Sequence, residues 1–320
     1  MRQDVQDKMK DLLEAPSDTS KSKARAMVRT MYEQCLDKDA LERDHGQEMV
    51  KALKRVGLWP MVESAKFDPK KFDLTMLLVE AGARGVNPFL DVYITIDAKN
   101  TSRRLLSVDQ GELGLGTSAR DYYLNTTKYA KQVKAYNQYI LDKMTLVAED
   151  YGSNVTYTAL KADVEKIFKM EQGLAEIMTP EENRRNYTEL YNIHKLSELT
   201  SFFPLVDWPR YFKGAAPHDA HHFIDSNPDI LVSEVAFLGR LTKLLSATDP
   251  RIVTNYIMLR YSGSFSLLYD SRYQDAYQRF MSQLLGRDSR SERWKECVQA
   301  ASTKMSHASS ALYAAAHFDK

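Results

Sequence analysis

The sequence has only 2 cysteines in 320 residues, too few for a disulfide framework or a cysteine-built zinc site. They fit one bridge or two buried thiols. Glycine (13) and proline (10) are also scarce, which excludes collagen-like and low-complexity classes and favours helices. No apolar run approaches the ~18–20 residues needed to cross a bilayer. The start, MRQDVQDKMKDLL, lacks the apolar stretch of a secretory signal. Basic and acidic residues balance at 44 against 43, so no charge field draws the chain to nucleic acid or an anionic membrane. Catalytic signatures are missing too: there is no H-E-x-x-H, Walker loop, nucleophile elbow or paired C-x-x-C.

What remains is an ordinary globular composition, 43% hydrophobic and 27% charged, with helical periodicity through most of the chain. Val5, Met9, Leu12 and Leu13 predict a helix over 3–13 that ends before Pro16. A second begins near Ser22 and carries Ala26, Met27, Met31 and Leu36, and a third covers 47–56. The period then changes. Residues 90–96 are β-branched and aromatic, and 104–108 continue in the same style, which predicts a hairpin. Ser118 and Asp121 resemble a capping box, and Tyr122, Tyr129, Val133, Tyr136, Ile140, Met144 and Val147 predict one long helix behind it. Further helices are expected over 160–177, 250–268 and 291–316, with a proline-broken loop and short helices over 200–230. Without an internal repeat or linker, the expected architecture over 1–320 is a mainly α domain with a small β-hairpin insertion.

Few residues suggest chemistry. His218, Asp219, His221, His222 and Asp225 are metal-ligand types, but they fall in the proline-broken stretch and read better as a solvated loop. The glycines at 111, 114 and 116 have the wrong spacing for a phosphate loop and read as a tight connection into a helix. The 18 tyrosines, at helical spacing, read as core and rim rather than as base-stacking platforms. Four N-x-S/T acceptors, Asn100, Asn125, Asn154 and Asn186, point to a glycosylated extracellular surface, against the missing secretory signal.

Several stretches in order resemble the neprilysin and endothelin-converting-enzyme family of zinc metalloendopeptidases. They are Lys23-Ala24-Arg25-Ala26 and Met31-Tyr32-Glu33-Gln34-Cys35, then Gly57-Leu58-Trp59-Pro60; the strand with Asp109-Gln110, Leu113-Gly114-Leu115 and Arg120-Asp121-Tyr122-Tyr123; and Asn255-Tyr256, Trp294-Lys295-Glu296-Cys297 and Leu312-Tyr313. The resemblance implies the family's noncatalytic amino-terminal domain, which caps a carboxy-terminal thermolysin-like domain and admits only short peptides. It implies that zinc belongs to that missing domain and that this chain itself carries no metal and no catalytic residue. It also implies a Cys35–Cys297 bridge and an extracellular or cell-surface location. Arg2 resembles the family's cavity-facing arginine, whose guanidinium grips a peptide carboxylate or carbonyl; an ordinary chain terminus is the other reading.

Three functions follow. The first is the gating domain of a zinc endopeptidase, with the catalytic domain and short peptides as partners. The second is a standalone peptide- or protein-binding module derived from that family. The third, an unrelated intracellular scaffold, has the sequons and the family pattern against it.

Overall fold

The computed structural model describes residues 3–16, 22–63 and 67–318. Three helices come first: α1 (Gln3–Glu14), α2 (Lys23–Leu36) and α3 (Lys38–Asp44). Ser22 starts α2 by accepting the Arg25 N–H, and Asp37 starts α3 by accepting that of Ala40, so a side-chain oxygen satisfies a first-turn donor in each. Helices α4 (Gln47–Val56) and α5 (Leu74–Gly82) lead into strands β1 (Leu90–Asp97) and β2 (Asn100–Gln110). Next come α6 (Arg120–Leu124), α7 (Ala130–Tyr151), α8 (Tyr157–Ile177) and β3 (Asn192–Lys195). Short helices α9 (Leu199–Phe202), α10 (Trp208–Ala215) and α11 (His221–Asp225) precede β4 (Asp229–Val232). The chain continues through α12 (Val235–Ser246), α13 (Pro250–Gly263), α14 (Ser271–Leu285), α15 (Arg293–Lys304) and α16 (Ser306–His317).

The fold is mainly helical with a small sheet, and the hairpin lies where its β-branched residues predict it. Two long helices expected from spacing are broken. The stretch predicted to run from 118 to 147 is a 3-10 turn at Thr117–Ala119, then α6, then a turn before α7. The break falls at Asn125-Thr126-Thr127: Asn125 Oδ1 accepts the Lys128 N–H at 3.0 Å, a local bond that competes with helix continuation. No side chain caps α6, so the expected capping box does not form. The stretch 291–316 is likewise two helices, interrupted at Met305.

The chain divides into two compact units, one made of Met1–Gly46 with Leu267–Lys320 and the other of Gln47–Ser266. No linker composition marks the division, because the first unit is assembled from both ends of the chain. In that unit α1 and α2 pack on α15 and α16 around Met9, Leu13, Val28, Tyr32, Val298 and Leu312. Ala301, fully buried, lets the helices approach closely.

In the second unit the sheet has the order β1-β2-β4-β3. β1 and β2 are antiparallel, β2 and β4 parallel, and β4 and β3 antiparallel. The parallel pair requires a crossover, which the segment from α6 to α11 supplies. The two strands beyond the hairpin were not expected from sequence. A row of charges crosses all four strands. Arg103 on β2 binds Asp97 of β1 at 2.6 Å and Asp229 of β4 at 3.0 Å, and Lys195 of β3 binds Asp229 at 2.8 Å.

Candidate functional site

Several of the residues that carry the family resemblance in the second unit meet where β2 leaves the sheet. Gly111 sits so close to the chain before β1 that a Cβ would stand 2.5 Å from the Asn87 carbonyl oxygen, so no other residue fits without a backbone shift. The Gly111 N–H donates to Phe89 O at 2.9 Å, and the Glu112 N–H to Asn87 O at 2.9 Å. Gly114 then donates its N–H to Glu171 Oε1 of α8 at 2.5 Å. The other Glu171 bonds come from the Tyr136 hydroxyl at 3.0 Å and the Tyr256 hydroxyl at 3.1 Å. Arg260 donates to Tyr256 Oη at 2.8 Å. Burial pushes the Glu171 carboxyl up, while Arg260 and the three donors pull against it. Lys143, buried on α7, is driven down to about 7 by desolvation and then by the Arg260 charge.

The chemistry of this cluster is internal. The glycine loop spends its N–H on a protein carboxylate, which would repel a phosphate, so the loop works as the tight connection its spacing suggests. The neighbouring matched residues do similar work. Asp109 takes two bonds of 2.6 Å from Arg184, which also binds Glu234 at 3.1 Å. Gln110 and Thr179 exchange bonds of 2.9 and 3.0 Å, and Arg120 donates to Ala175 O at 2.8 Å. Together they fasten the end of β2 and the start of α6 to the end of α8. Glu171 was missed in the sequence, although it had a visible signature: an acid in the apolar stripe of α8, three residues from both Phe168 and Leu174.

In the first unit, Cys35 of α2 and Cys297 of α15 are joined as a disulfide, with Cα atoms 5.6 Å apart. Two arginines close helix ends beside it. Arg29 donates to the carbonyls of Leu12 and Ala15 at the end of α1, and Arg293 to those of Cys35 at 2.9 Å and Leu267 at 2.8 Å. These groups satisfy carbonyls that have no intrahelical partner. Arg2, the candidate peptide-gripping residue, lies outside the described residues.

The histidine group lies on short helical turns of the kind expected over 200–230, with His218, Asp219, His222 and Asp225 exposed: His218–Ala220 is a 3-10 turn running into α11. His221 Nε2 is 2.9 Å from the Lys213 carbonyl, and Asp225 pairs with Lys213 Nζ at 2.5 Å, so two candidate ligands are already engaged. Among the described residues no three of His, Cys, Asp or Glu are placed to hold a metal ion. The sequence has no H-E-x-x-H either, so the described residues do not fit a catalytic zinc. All four sequon asparagines, Asn100, Asn125, Asn154 and Asn186, are exposed.

This mainly helical scaffold with its four-stranded sheet has counterparts among solved structures. It superposes on the zinc metalloprotease Zmp1 of Mycobacterium tuberculosis in its open state with a TM-score of 0.79 at 20% identity, covering 99% of this chain and 45% of that one. It also superposes on PepO of Lactobacillus rhamnosis with a TM-score of 0.76 at 12% identity, covering 99% and 46%. The amino-terminal family model of peptidase family M13 matches residues 1–320, and the chain belongs to that family. It is similar to Neprilysin-1 of Caenorhabditis elegans, 40% identical over 319 residues, which are 99% of this chain and 42% of that protein. Human endothelin-converting enzyme 1 is 28% identical over 312 residues, 97% of this chain and 39% of that protein. The chain thus spans about two fifths of the length of these relatives. No helix among the described residues is long and apolar enough to cross a membrane.

Proposed function

We propose that this chain is the gating part of a neprilysin-like zinc endopeptidase. It would limit access to short extracellular peptides, while a separate thermolysin-like domain supplies zinc and the catalytic residues. The observation that carries this reading is the match of the family's amino-terminal model to residues 1–320 in a sequence without H-E-x-x-H. The disulfide and the four exposed sequons support an extracellular setting. Arg2 is assigned to hold the peptide carboxylate or a carbonyl near it.

The test is to assay fluorogenic peptides of graded length with this chain alone and with it joined to the part of nematode Neprilysin-1 that it does not cover. The fusion should cleave short peptides in a chelator-sensitive way and discriminate against long ones, with Arg2→Ala raising KM more than it lowers kcat. The chain alone should be inactive. Cleavage by the isolated chain, with zinc that survives dialysis and is lost on replacing His218, His221 and His222, would overturn the reading.

A further inference from the structure

A cleft of about 670 Å³ opens in the second unit, between the start of α5, the end of α12 and the first turn of α13, with α10 on one side. This size suits a small organic ligand, for which pockets of roughly 300–1,000 Å³ are usual. Its floor is apolar: Leu74, Leu245 and Val253 are all buried. Its rim is cationic, formed by Lys70, Lys71 and Arg210. Asp73 is the single carboxylate of the lining, and it is already taken. It accepts the Met76 N–H at 3.0 Å as the cap of α5 and pairs with Arg210. Lys70 and Lys71 have no carboxylate partner among the described residues.

The geometry points to a binding site for a small organic anion with an apolar body, its carboxylate held by Lys70 and Lys71 and its hydrocarbon part on Leu74, Leu245 and Val253. Neither feature alone would select such a ligand. An apolar floor without charge would take any hydrophobe, and two solvated lysines without a floor would hold an anion only weakly. Their combination discriminates. A carboxylate placed at the rim replaces the counter-charge that Asp73 no longer offers, and its tail removes apolar surface from water at about 25 cal/mol per Å². The carboxylate can come from a free acid or from the last residue of a peptide, because both present the same group next to an apolar side chain. The site goes beyond the gating reading and does not rest on it: all its residues lie within Gln47–Ser266.

The inference is tested on the full 320-residue chain by calorimetric titration with octanoate, with its neutral counterpart octanamide, and with N-acetyl-phenylalanine as the peptide-end probe. Saturable one-to-one binding is expected for at least one of the two acids, and their ratio tells which source the cleft prefers. Octanamide should bind about tenfold or more weakly than octanoate, as the loss of charge-assisted bonds requires. The double variant Lys70→Glu/Lys71→Glu should lose acid binding while keeping its melting temperature, because both side chains are exposed. Lys131→Glu, an exposed change on α7, should leave binding unchanged. No saturable binding of either acid, equal binding of octanoate and octanamide, or unchanged acid binding by the double variant would each overturn the assignment.

Discussion

The two compact units solve the same problem by different means. The unit built from Gln47–Ser266 is continuous in sequence, and its helices and sheet are fastened by buried charges: Glu171 among Gly114, Tyr136 and Tyr256, and Asp163 with Arg251 at 2.6 Å. The unit built from the two chain ends brings α2 and α15 together across 262 residues of sequence, and there the fastening is covalent. Each choice follows from loop closure. A continuous unit gathers contacts progressively, whereas one made of distant segments must first close a long loop, and a bridge removes that cost from folding. Buried polar networks would be a poor substitute, because each must be complete before it stabilises anything.

The largest effect should therefore come from breaking the covalent side. Cys297→Ser, or reduction, should lower the stability of the unit containing α1, α2, α15 and α16 by up to about 5 kcal/mol, the loop-entropy figure for a bridge of this span. Hydrogen exchange should show the loss there, with amides of α7, α8 and α13 little changed. Uniform loss over both units would show that they unfold as one and would remove the contrast. Non-reducing peptide mapping of oxidatively folded protein supplies the control.

The second effect breaks the noncovalent side. Gly114→Ala would drive a Cβ into the Tyr136 hydroxyl and to 2.8 Å from Glu171 Oε1, so the Glu171 cluster must open. A cost of about 3 kcal/mol is expected from overpacking together with lost bonds to a buried carboxylate. Adding Tyr136→Phe, which deletes the clashing oxygen, should recover part of that loss, so the double variant is less destabilised than the sum of the singles. Additive losses in urea titrations would mean that Gly114 is required for its backbone conformation and not for the approach to Glu171.

Legibility in the sequence follows the same division. The hairpin and the start of α2 near Ser22 were readable because a local pattern determines them. The breaks at Asn125-Thr126-Thr127 and at Met305 were not. Apolar spacing continues through both, and only the competing local bonds of Asn125 interrupt the first. Strands β3 and β4 were hidden because four residues cannot show an alternation, and their pairing is set by tertiary contact. The cysteine pair could not be told from two thiols by spacing alone; the family resemblance decided it. The Glu171 cluster gathers Gly114, Tyr136, Glu171, Tyr256 and Arg260 from four separate segments, and no sequence window contains it.

A smaller effect concerns the charge row across the sheet. Burial pushes the Asp97 carboxyl up, but Arg103, the Lys99 N–H and the Tyr191 hydroxyl outweigh this and hold it down to about 2, below its ordinary 3.8. A folded-state value below the unfolded one means that the stabilisation is present above about pH 4 and is lost as pH falls through 4 toward 2. Acid denaturation followed by circular dichroism should show that dependence in the native chain and a flatter one in Asp97→Asn. The second unit should carry the acid sensitivity. If Asp97→Asn leaves the acid transition unmoved, the row contributes nothing through this proton.

The smallest effect tests the surface that the two units present in the extracellular setting proposed for them. All four sequons are exposed, and all four belong to the continuous unit, so carbohydrate would decorate the unit without the disulfide and leave the bridged one bare. Their side chains are not equally available. Asn125 Oδ1 accepts the Lys128 N–H at 3.0 Å, and Asn186 bonds both the Thr188 N–H at 3.2 Å and Glu189 at 2.7 Å. Asn100 accepts the Ser102 N–H at 3.3 Å at the hairpin tip. Asn154, between α7 and α8, has no side-chain hydrogen bond among the described residues. Expressed behind a secretory signal, the chain should gain mass removable by a glycan-cleaving enzyme, with Asn154 the fullest site. Each Asn→Gln change should remove one increment of mass and shift stability by less than about 0.5 kcal/mol, as exposed substitutions do. Intact-mass spectrometry of the four single variants reads this directly. A secreted chain with no mass shift at any of the four positions would remove the sequons from the case for an extracellular protein and leave the Cys35–Cys297 bridge to carry it alone.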